Sequence, residues 1–158
     1  MYGRNPEMGG NFTGVKNEKL TRLAGVLAAM VVVAAAAEMA LVQPAEFAGR
    51  ILKGSKPAVF MVGPNVLYRS HRIPGSVFAG PGVQPAGLAM LRAAADKVAR
   101  DREVFLYCGC CPWDRCPNVK PAVDLLKEMG FTKAKVLYLP VGFKVDWLDK
   151  GYAAEAGQ

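Results

Sequence analysis

The run VFLYCGCCPWDRCPNVKPAVDLLKEMGF, residues 104–131, decides the fold. It opens with the apolar stretch Val104–Tyr107, which has the length of a buried strand, and it closes with a helical pattern over residues 119–129 that stops at Gly130. The loop between the two holds all four cysteines of the chain. In parallel sheets the working groups lie on loops that follow the carboxyl ends of strands. The run therefore predicts an α/β domain with a thiol site at the end of a strand.

Strands and helices continue to alternate on both sides of this run. The other predicted elements are, in chain order, a helix over Pro44–Leu52, a strand over residues 58–62, a loop rich in Gly and Pro over 63–82, a helix over 85–100, a strand over 135–139 and a short helix over 142–150. Elements that alternate at these lengths favour a central, mostly parallel sheet with helices on both faces.

The length and composition of the chain are those of one globular domain. Its 158 residues are 52% hydrophobic and 21% charged, which excludes wholesale disorder, collagen and coiled coil. The formal net charge of +7 is spread among acidic residues, and no basic stripe alternates with aromatic side chains. We therefore expect no nucleic-acid partner.

The N-terminal part has the pattern of an export segment. Residues 23–37 carry no charge, follow a basic flank and end in an A-x-A pattern at Ala37, directly before Glu38. The sequence favours a secretory signal cleaved after Ala37, which places the rest of the chain in the periplasm or outside the cell. A membrane anchor over residues 23–42 and a buried, Ala-rich helix of a cytosolic protein are the alternatives. The residues of the basic flank are Lys16, Lys19 and Arg22.

The cysteine loop, residues 108–118, is placed to hold an activated thiol. Cys108 directly follows the strand, and the backbone amides of a loop that turns into a helix favour a thiolate over a thiol at this point. Arg115, seven residues on, is expected to add a positive charge that stabilises an anionic sulfur adduct. Asn118 is predicted to cap the next helix, and Trp113 to wall the sulfur pocket or to hold the loop on the domain. The residues expected to form the anion-binding loop are Gly109, Cys110, Cys111, Trp113 and Asp114.

Three interpretations of the four cysteines stay open. In the first, one thiol is a nucleophile that carries a persulfide, and a neighbouring thiol resolves it as a disulfide. In the second, the thiolates hold a soft ion, Cu(I) or Zn(II), although the spacing C-x-C-C-x4-C is not that of a zinc knuckle. In the third, they form structural disulfides in an exported protein. We favour the first and therefore expect no resident metal or cofactor. The ligands of the metal interpretation would be Cys108, Cys110, Cys111 and Cys116.

Several stretches of the chain together resemble a rhodanese domain. The stretches that carry the resemblance are residues 104–108 (VFLYC), 118–131 (NVKPAVDLLKEMGF), 136–152 (VLYLPVGFKVDWLDKGY) and, upstream, the strand at 58–62 followed by Tyr68, His71 and the Ile-Pro-Gly turn at 73–75. The resemblance covers residues 43–152. It divides the chain into an N-terminal targeting segment over 1–42, a rhodanese-like domain over 43–152 and a C-terminal tail over 153–158.

The resemblance implies a three-layer α/β domain and a sulfurtransferase activity. In that chemistry the cysteine after the strand, here Cys108, takes a sulfane sulfur from a donor such as thiosulfate and holds it as a persulfide. It then passes the sulfur to a thiol or a cyanide-like acceptor. No cofactor is implied. The expected partners are these small molecules and a redox protein, with membrane contact only through the N-terminal segment. The alternative is a non-catalytic module of the same fold whose cysteine loop binds a soft metal or a protein partner.

The loop departs from the family pattern in its length. The family's active loop commonly spans five steps from cysteine to arginine, whereas Cys108 and Arg115 are seven steps apart and Cys110 and Arg115 are five. We prefer Cys108 as the nucleophile because the strand leads into it. Cys110, Cys111 and Cys116 stay as alternative nucleophiles or resolving thiols. The sequence Met-Val-Gly at residues 61–63 also stands where the family usually has an aspartate and an arginine.

Overall fold

The structure is a computed structural model that describes residues 39–157. Its strands are β1 (Ala40–Val42), β2 (Ala58–Met61), β3 (His71–Arg72), β4 (Val77–Phe78), β5 (Val104–Tyr107), β6 (Ala134–Leu137) and β7 (Glu155–Ala156). Its α-helices are α1 (Pro44–Leu52), α2 (Asn65–Ser70), α3 (Pro85–Ala95), α4 (Val119–Glu128) and α5 (Phe143–Asp146), and 3₁₀ turns lie at Trp113–Arg115 and Leu148–Lys150.

Five strands form one sheet in the order β1-β6-β5-β2-β4. Every strand pair in it is parallel. Buried side chains of α3 and α4 pack on one face of the sheet, and those of α1 and α5 pack on the other. The predicted class, a mostly parallel sheet between two layers of helices, is confirmed. The carboxyl ends of β2, β5 and β6 lie side by side, so the loops that follow them meet at one edge.

The central strand β5 is buried on both faces. Leu106 and Cys108 point into the cluster under α3 and α4, whereas Phe105 and Tyr107 point into the cluster under α1 and α5. A strand that is covered on both sides needs apolar residues at every position, which explains why the run VFLY does not alternate. The alternation of directions also assigns the Cys108 side chain to the face that carries α4.

The helix predicted over residues 85–100 is shorter in the structure and ends at Ala95. The Arg100 guanidinium donates hydrogen bonds to the carbonyl oxygens of Ala95, at 2.9 Å, and Val98, at 3.2 Å. These bonds satisfy acceptors that the end of a helix leaves without intrahelical partners. The chain therefore turns away before it reaches β5.

The predicted loop over residues 63–82 contains α2 and the two-residue strands β3 and β4. β4 extends the parallel sheet next to β2, while β3 pairs antiparallel with β7. Glu155 and Ala156, which the sequence analysis placed in a tail, are thus paired residues. The turn at residues 73–75 is anchored by Tyr107, whose hydroxyl accepts the Ile73 amide at 3.3 Å and bonds the Ser76 hydroxyl at 3.1 Å.

The predicted export segment, residues 23–37, lies outside the residues that the structure describes. Strand β1, however, falls inside the predicted targeting segment over 1–42. Its residues Ala40 and Val42 pair with Lys135 and Leu137 of β6, so the sheet begins ahead of the boundary predicted at residue 43. Over residues 39–157 no helix has the length and apolar character that crossing a membrane requires.

Candidate functional site

The candidate site is the cysteine loop, which joins the carboxyl end of β5 to the start of α4. Cys108 directly follows β5, and only 2% of its surface is exposed. Its side chain continues the inward row of β5 and contacts the cluster that includes Val119 of α4. The structure thus places Cys108 at the predicted junction of strand and loop.

Gly109 allows the loop to turn sharply after Cys108. Its φ of +71° is a left-handed conformation that glycine adopts without a steric penalty. A Cβ at this position would lie 2.5 Å from the Cβ of Phe143. The Gly109 carbonyl oxygen also accepts the Phe143 amide at 3.0 Å. The start of α5 therefore holds the first turn of the cysteine loop in place.

Trp113 fixes the middle of the loop to the segment that follows β6. Its backbone amide donates to the Pro140 carbonyl oxygen at 3.1 Å, and its ring meets the Tyr138 ring edge-on, with the centroids 5.4 Å apart. The same side chain lines the small cavity beside Cys108. Trp113 thus holds the loop on the domain and lines the cavity beside Cys108, and its role as the wall of a sulfur pocket stays a prediction.

Gly63 is a site residue that the sequence analysis treated only as a departure from the family pattern. A Cβ at residue 63 would lie 2.9 Å from the Cys108 sulfur and 3.2 Å from the Cys108 carbonyl oxygen. The missing side chain therefore leaves room for the thiol at the end of the neighbouring strand. The Met-Val-Gly sequence after β2 could have indicated this close approach, since a glycine after a strand often marks one.

The four thiols form one connected group. Cys108 Sγ donates to Cys110 Sγ at 3.2 Å, and the sulfurs of Cys110 and Cys111 are also 3.2 Å apart. The sulfurs of Cys108, Cys110 and Cys116 all lie within 4.8 Å of one another. Cys111 lies at the outer side of the group, where its thiol donates to the Arg115 carbonyl oxygen at 3.8 Å. All four cysteines are free thiols in the structure.

Asn118 connects this thiol group to the loop after β4. Asn118 occupies the N-cap position of α4, as predicted, but its side chain makes no capping hydrogen bond there. Its Oδ1 instead accepts the Val83 amide at 3.1 Å, and its Nδ2 donates to the sulfurs of Cys108, at 3.5 Å, and Cys110, at 3.6 Å. With only 4% of its surface exposed, Asn118 is a buried donor that orients two of the thiols.

Cys116 is the thiol of the group whose pKa is lowered. Its side-chain interaction with Cys108 is the largest cause, and the amides of Asn118 and Val119 at the start of α4 add to it. Together these neighbours lower the pKa of Cys116 to about 5. The interaction with Cys116, together with burial, raises the pKa of Cys108 well above its usual range. Burial, with a smaller effect of Cys110, raises the pKa of Cys111 to about 12.

The two charged side chains of the loop point away from the thiols. Arg115 and Asp114 are exposed, and neither side chain has a hydrogen bond or an ion pair with another residue among those that the structure describes. Arg115 contacts the thiols through its backbone oxygen, which accepts the Cys111 thiol. The donors at the sulfurs include the Asn118 side-chain amide, the Cys110 amide at Cys108 and the amides at the start of α4 at Cys116. The expected role of the Arg115 guanidinium in holding an anion therefore stays a prediction.

A small cavity lies against the Cys108 sulfur. Its volume is about 10 Å³, roughly enough for one atom the size of a water oxygen. The cavity is lined by Cys108, Gly109, Cys111, Trp113, Cys116, Val119, Leu137 and Leu139. The lining is thus apolar apart from thiols and backbone, which suits a sulfur atom better than a hydrated ion.

The solved structures that resemble the described domain identify its fold. The BH2092 protein of Bacillus halodurans is 19% identical, with a TM-score of 0.58 over 74% of this chain and 77% of that one. The rhodanese-like domain of the Anabaena Alr3790 protein is 18% identical, with a TM-score of 0.54 over 73% and 78%. A thiosulfate sulfurtransferase of Pseudomonas aeruginosa is 20% identical, with a TM-score of 0.56 over 76% of this chain and 21% of that longer one.

These identities are low, so the likeness establishes the fold alone. The described domain has the rhodanese-like fold, as the resemblance of the sequence predicted. No protein-family model and no curated protein sequence matches the chain.

Proposed function

We propose that the chain is a sulfurtransferase that carries a sulfane sulfur as a persulfide on Cys108. The Cys108 thiolate attacks the sulfane sulfur of a donor such as thiosulfate, the S–S bond of the donor breaks, and sulfite leaves. An acceptor thiolate or cyanide then attacks the outer sulfur of the persulfide. The bond from Cys108 Sγ to that sulfur breaks, and the thiolate is restored. Each step exchanges one bond at sulfur and needs no oxidant.

The observation that carries the proposal is the cavity against Cys108. It offers room for about one added atom beside a nucleophile that the protein otherwise buries. The Trp113 ring and the apolar side chains of the lining make this space a poor site for water. A sulfur placed there would be shielded from solvent, and the Cys110 amide, which donates to Cys108 Sγ, would support the anionic forms.

The neighbouring thiolate supplies a base for the first step. Cys108 is a buried thiol that must lose its proton before it attacks, and the Cys116 sulfur lies within 4.8 Å of its own. Transfer of that proton to Cys116 makes Cys108 the thiolate and Cys116 the thiol. The charge stays within the thiol group throughout, so the exposed Arg115 side chain is not required for this step.

The same proposal covers where the chain acts and with what partners. Residues 23–37 and their basic flank support export, so we propose a periplasmic or secreted protein whose donor is a small sulfane compound. The acceptor is a small thiol or a cyanide-like molecule, and a redox protein keeps the loop thiols reduced in an oxidising compartment. No nucleic acid takes part.

The substitution Cys108→Ser tests the nucleophile. We expect the reduced wild-type chain, incubated with thiosulfate and alkylated, to gain the mass of one sulfur that is lost on adding cyanide, and the variant to gain none. A matched control is Cys108→Ser combined with Leu52→Cys, which restores the number of thiols at a position 80% exposed and outside the loop. An equal gain in Cys108→Ser, mapped to Cys110 or Cys111, would move the nucleophile.

The competing function is a non-catalytic module whose loop binds a soft metal. The observation in its favour is the group of three sulfurs within 4.8 Å of one another, because thiolates at such separations suit Cu(I). Two measurements on the reduced chain separate the two functions. One is the gain of sulfur from thiosulfate described above, and the other is a titration with Cu(I) against a chromogenic chelator. A chain that binds one Cu(I) and gains no sulfur from thiosulfate or a polysulfide is the binding module.

A further inference from the structure

We infer that Cys116 resolves the persulfide on Cys108, so that the chain releases the sulfane sulfur as hydrosulfide and is left with a disulfide between the two cysteines. This inference rests on the proposed function, because it needs a persulfide on Cys108. It goes further by assigning the nucleophile that resolves the persulfide to a residue of the chain itself. The product is then hydrosulfide, a reduced sulfur species, in place of a sulfane sulfur passed to an external acceptor.

The first support is the position of Cys116 at the nucleophile. Its sulfur lies within 4.8 Å of Cys108 Sγ. Both residues also line the same small cavity, so a sulfur added to Cys108 has Cys116 as a direct neighbour. An attacking group that the fold already holds nearby makes the second step intramolecular, which strongly favours it over attack by a dilute acceptor.

The second support is the set of donors at Cys116. The amides of Asn118 and Val119 are held by α4, a helix of ten residues, and both point at the Cys116 sulfur. They remain in place when Cys108 has lost its proton and carries the persulfide. Cys116 therefore keeps two backbone donors that stabilise the negative charge its sulfur develops as it gives up its proton in the step.

The other two thiols are less suited to this attack. Cys110 Sγ lies 3.2 Å from Cys108 Sγ, but Cys110 is not among the residues that line the cavity. Cys111 lines the cavity, yet it lies at the outer side of the thiol group and donates its own hydrogen to the Arg115 carbonyl oxygen. Cys116 combines a sulfur within 4.8 Å of Cys108 Sγ with a place in the cavity wall, and it has the two amides at the start of α4 as neighbours.

The step balances in atoms and electrons. Cys116, which holds the proton taken from Cys108, gives that proton to the outer sulfur as its own sulfur attacks Cys108 Sγ. A bond forms between the two sulfurs of the chain, and the bond from Cys108 Sγ to the outer sulfur breaks. The outer sulfur leaves with the electron pair and the proton as hydrosulfide. It is reduced by two electrons, and the two cysteines are oxidised to a disulfide. A second turnover needs an external reductant, a dithiol or another protein thiol, which opens the disulfide by exchange.

The experiment measures the released hydrosulfide and the mass of the chain under anaerobic conditions. The reduced chain is treated with thiosulfate and freed from excess, and released hydrosulfide is trapped with a bimane reagent before any thiol is added. We expect one hydrosulfide per chain and a final mass two hydrogens below that of the reduced chain. Cleavage after Arg115 separates Cys116 from the other cysteines, so its disulfide holds two peptides together. Cys116→Ser should keep its added sulfur and release hydrosulfide at least about tenfold more slowly.

The outcomes of this experiment distinguish a failure of the proposed function from a failure of the inference about Cys116. A wild-type chain that gains no sulfur contradicts the proposed function itself. A wild-type chain that gains and keeps the sulfur, without a disulfide to Cys116, supports the proposed function and overturns the inference. Release that survives in Cys116→Ser but is lost in Cys110→Ser also overturns it and moves the resolving role to Cys110. Where Cys116→Ser does not load, the wild-type hydrosulfide yield and disulfide map give the decision.

Discussion

At the scale of single residues, the lowered pKa of Cys116 comes from neighbouring hydrogen-bond donors. The largest contribution comes from the Cys108 thiol, and the amides of Asn118 and Val119 add to it. Such donors are fixed by the backbone and by packing, so the charge depends on the folded loop. An exposed arginine would serve the same purpose only if its side chain turned inward.

The pH dependence of thiol labelling reports this arrangement. The pKa of Cys116 is lowered to about 5, so its thiolate persists well below the ordinary cysteine pKa of about 8.5. We expect the rate of iodoacetamide labelling at Cys116, read on the peptides cleaved after Arg115, to stay nearly constant from about pH 8 to about pH 6 and to fall only near pH 5. Cys111, whose pKa is raised to about 12, should label slowly throughout and serves as the internal control.

One variant separates the effect of the Cys108 thiol on the pKa of Cys116 from that of the two helix amides. Cys108→Ala removes the largest contribution to the lowered pKa of Cys116 and leaves the two helix amides in place. The midpoint of the labelling curve should therefore move to higher pH. A wild-type midpoint close to the ordinary cysteine value, unchanged in Cys108→Ala, would show that the thiols do not share a proton in this way.

The residues of the site were predicted from sequence only where the chain itself brings them together. The place of Cys108 follows from the strand VFLY that leads into it, and that placement is what the structure has. The contacts of Asn118 with Val83 and of Gly63 with Cys108 join residues that are far apart in the chain. No local pattern marks such a pair, so the sequence assigned Asn118 the commoner role of a helix cap.

At the scale of elements, the cysteine loop is positioned by the segments on either side of it. Gly109 is in contact with the start of α5, and the Trp113 amide is bonded to Pro140 after β6. The site is thus a loop between β5 and α4 whose shape is imposed by the chain beyond β6. A change that separates these segments should affect the thiols without removing any of them.

The substitution Gly109→Ala tests this contact against a matched glycine. Gly109 and Gly75 share a φ of +71°, but a Cβ at Gly75 meets nothing within 4 Å, while one at Gly109 lies 2.5 Å from Phe143 Cβ. We expect Gly75→Ala to cost about 1–2 kcal/mol for the backbone conformation alone. Gly109→Ala should cost about 1–3 kcal/mol more for the clash and should slow sulfur loading. Urea unfolding measures both, and equal losses of stability would mean that α5 does not hold the loop.

The sequence predicted best the elements that have a clear pattern of apolar residues within their own length. The bounds of α1 and β5 agree with the structure, because each has a clear apolar pattern and a clear start. The sequence predicts a loop where the short strands β3 and β4 lie. A strand of two residues shows no hydrophobic periodicity, and it is a strand only because it pairs with another one. The end of α3 was placed too late because the bonds from Arg100 to the carbonyl oxygens, unlike a glycine or proline, leave no signal in the sequence.

At the scale of the whole molecule, β1 links the sheet to the predicted export segment. The strand pairs with β6 through Ala40, Leu41 and Val42, and Val42 is buried in the core. A membrane anchor that continues to Val42 conflicts with this pairing. Cleavage after Ala37, by contrast, leaves Glu38 and Met39 ahead of a complete edge strand.

We therefore expect the exported chain to begin at Glu38. The full chain, expressed in a bacterium with an outer membrane, should be recovered from the periplasmic fraction with the intact mass of residues 38–158. The physical reason is that a later cleavage would remove β1, and burial of the Val42 side chain alone is worth about 1.5–3 kcal/mol. Recovery of the full-length mass from the membrane fraction would favour the anchor instead, and recovery from the cytoplasm would contradict export.

The contribution of β1 to stability is tested with two shortened chains. A chain of residues 43–158 lacks β1 and should therefore unfold at a lower urea concentration than a chain of residues 38–158, which is the matched control. Equal urea midpoints for the two shortened chains would show that β1 adds nothing to the sheet and would remove the reason for a boundary ahead of it.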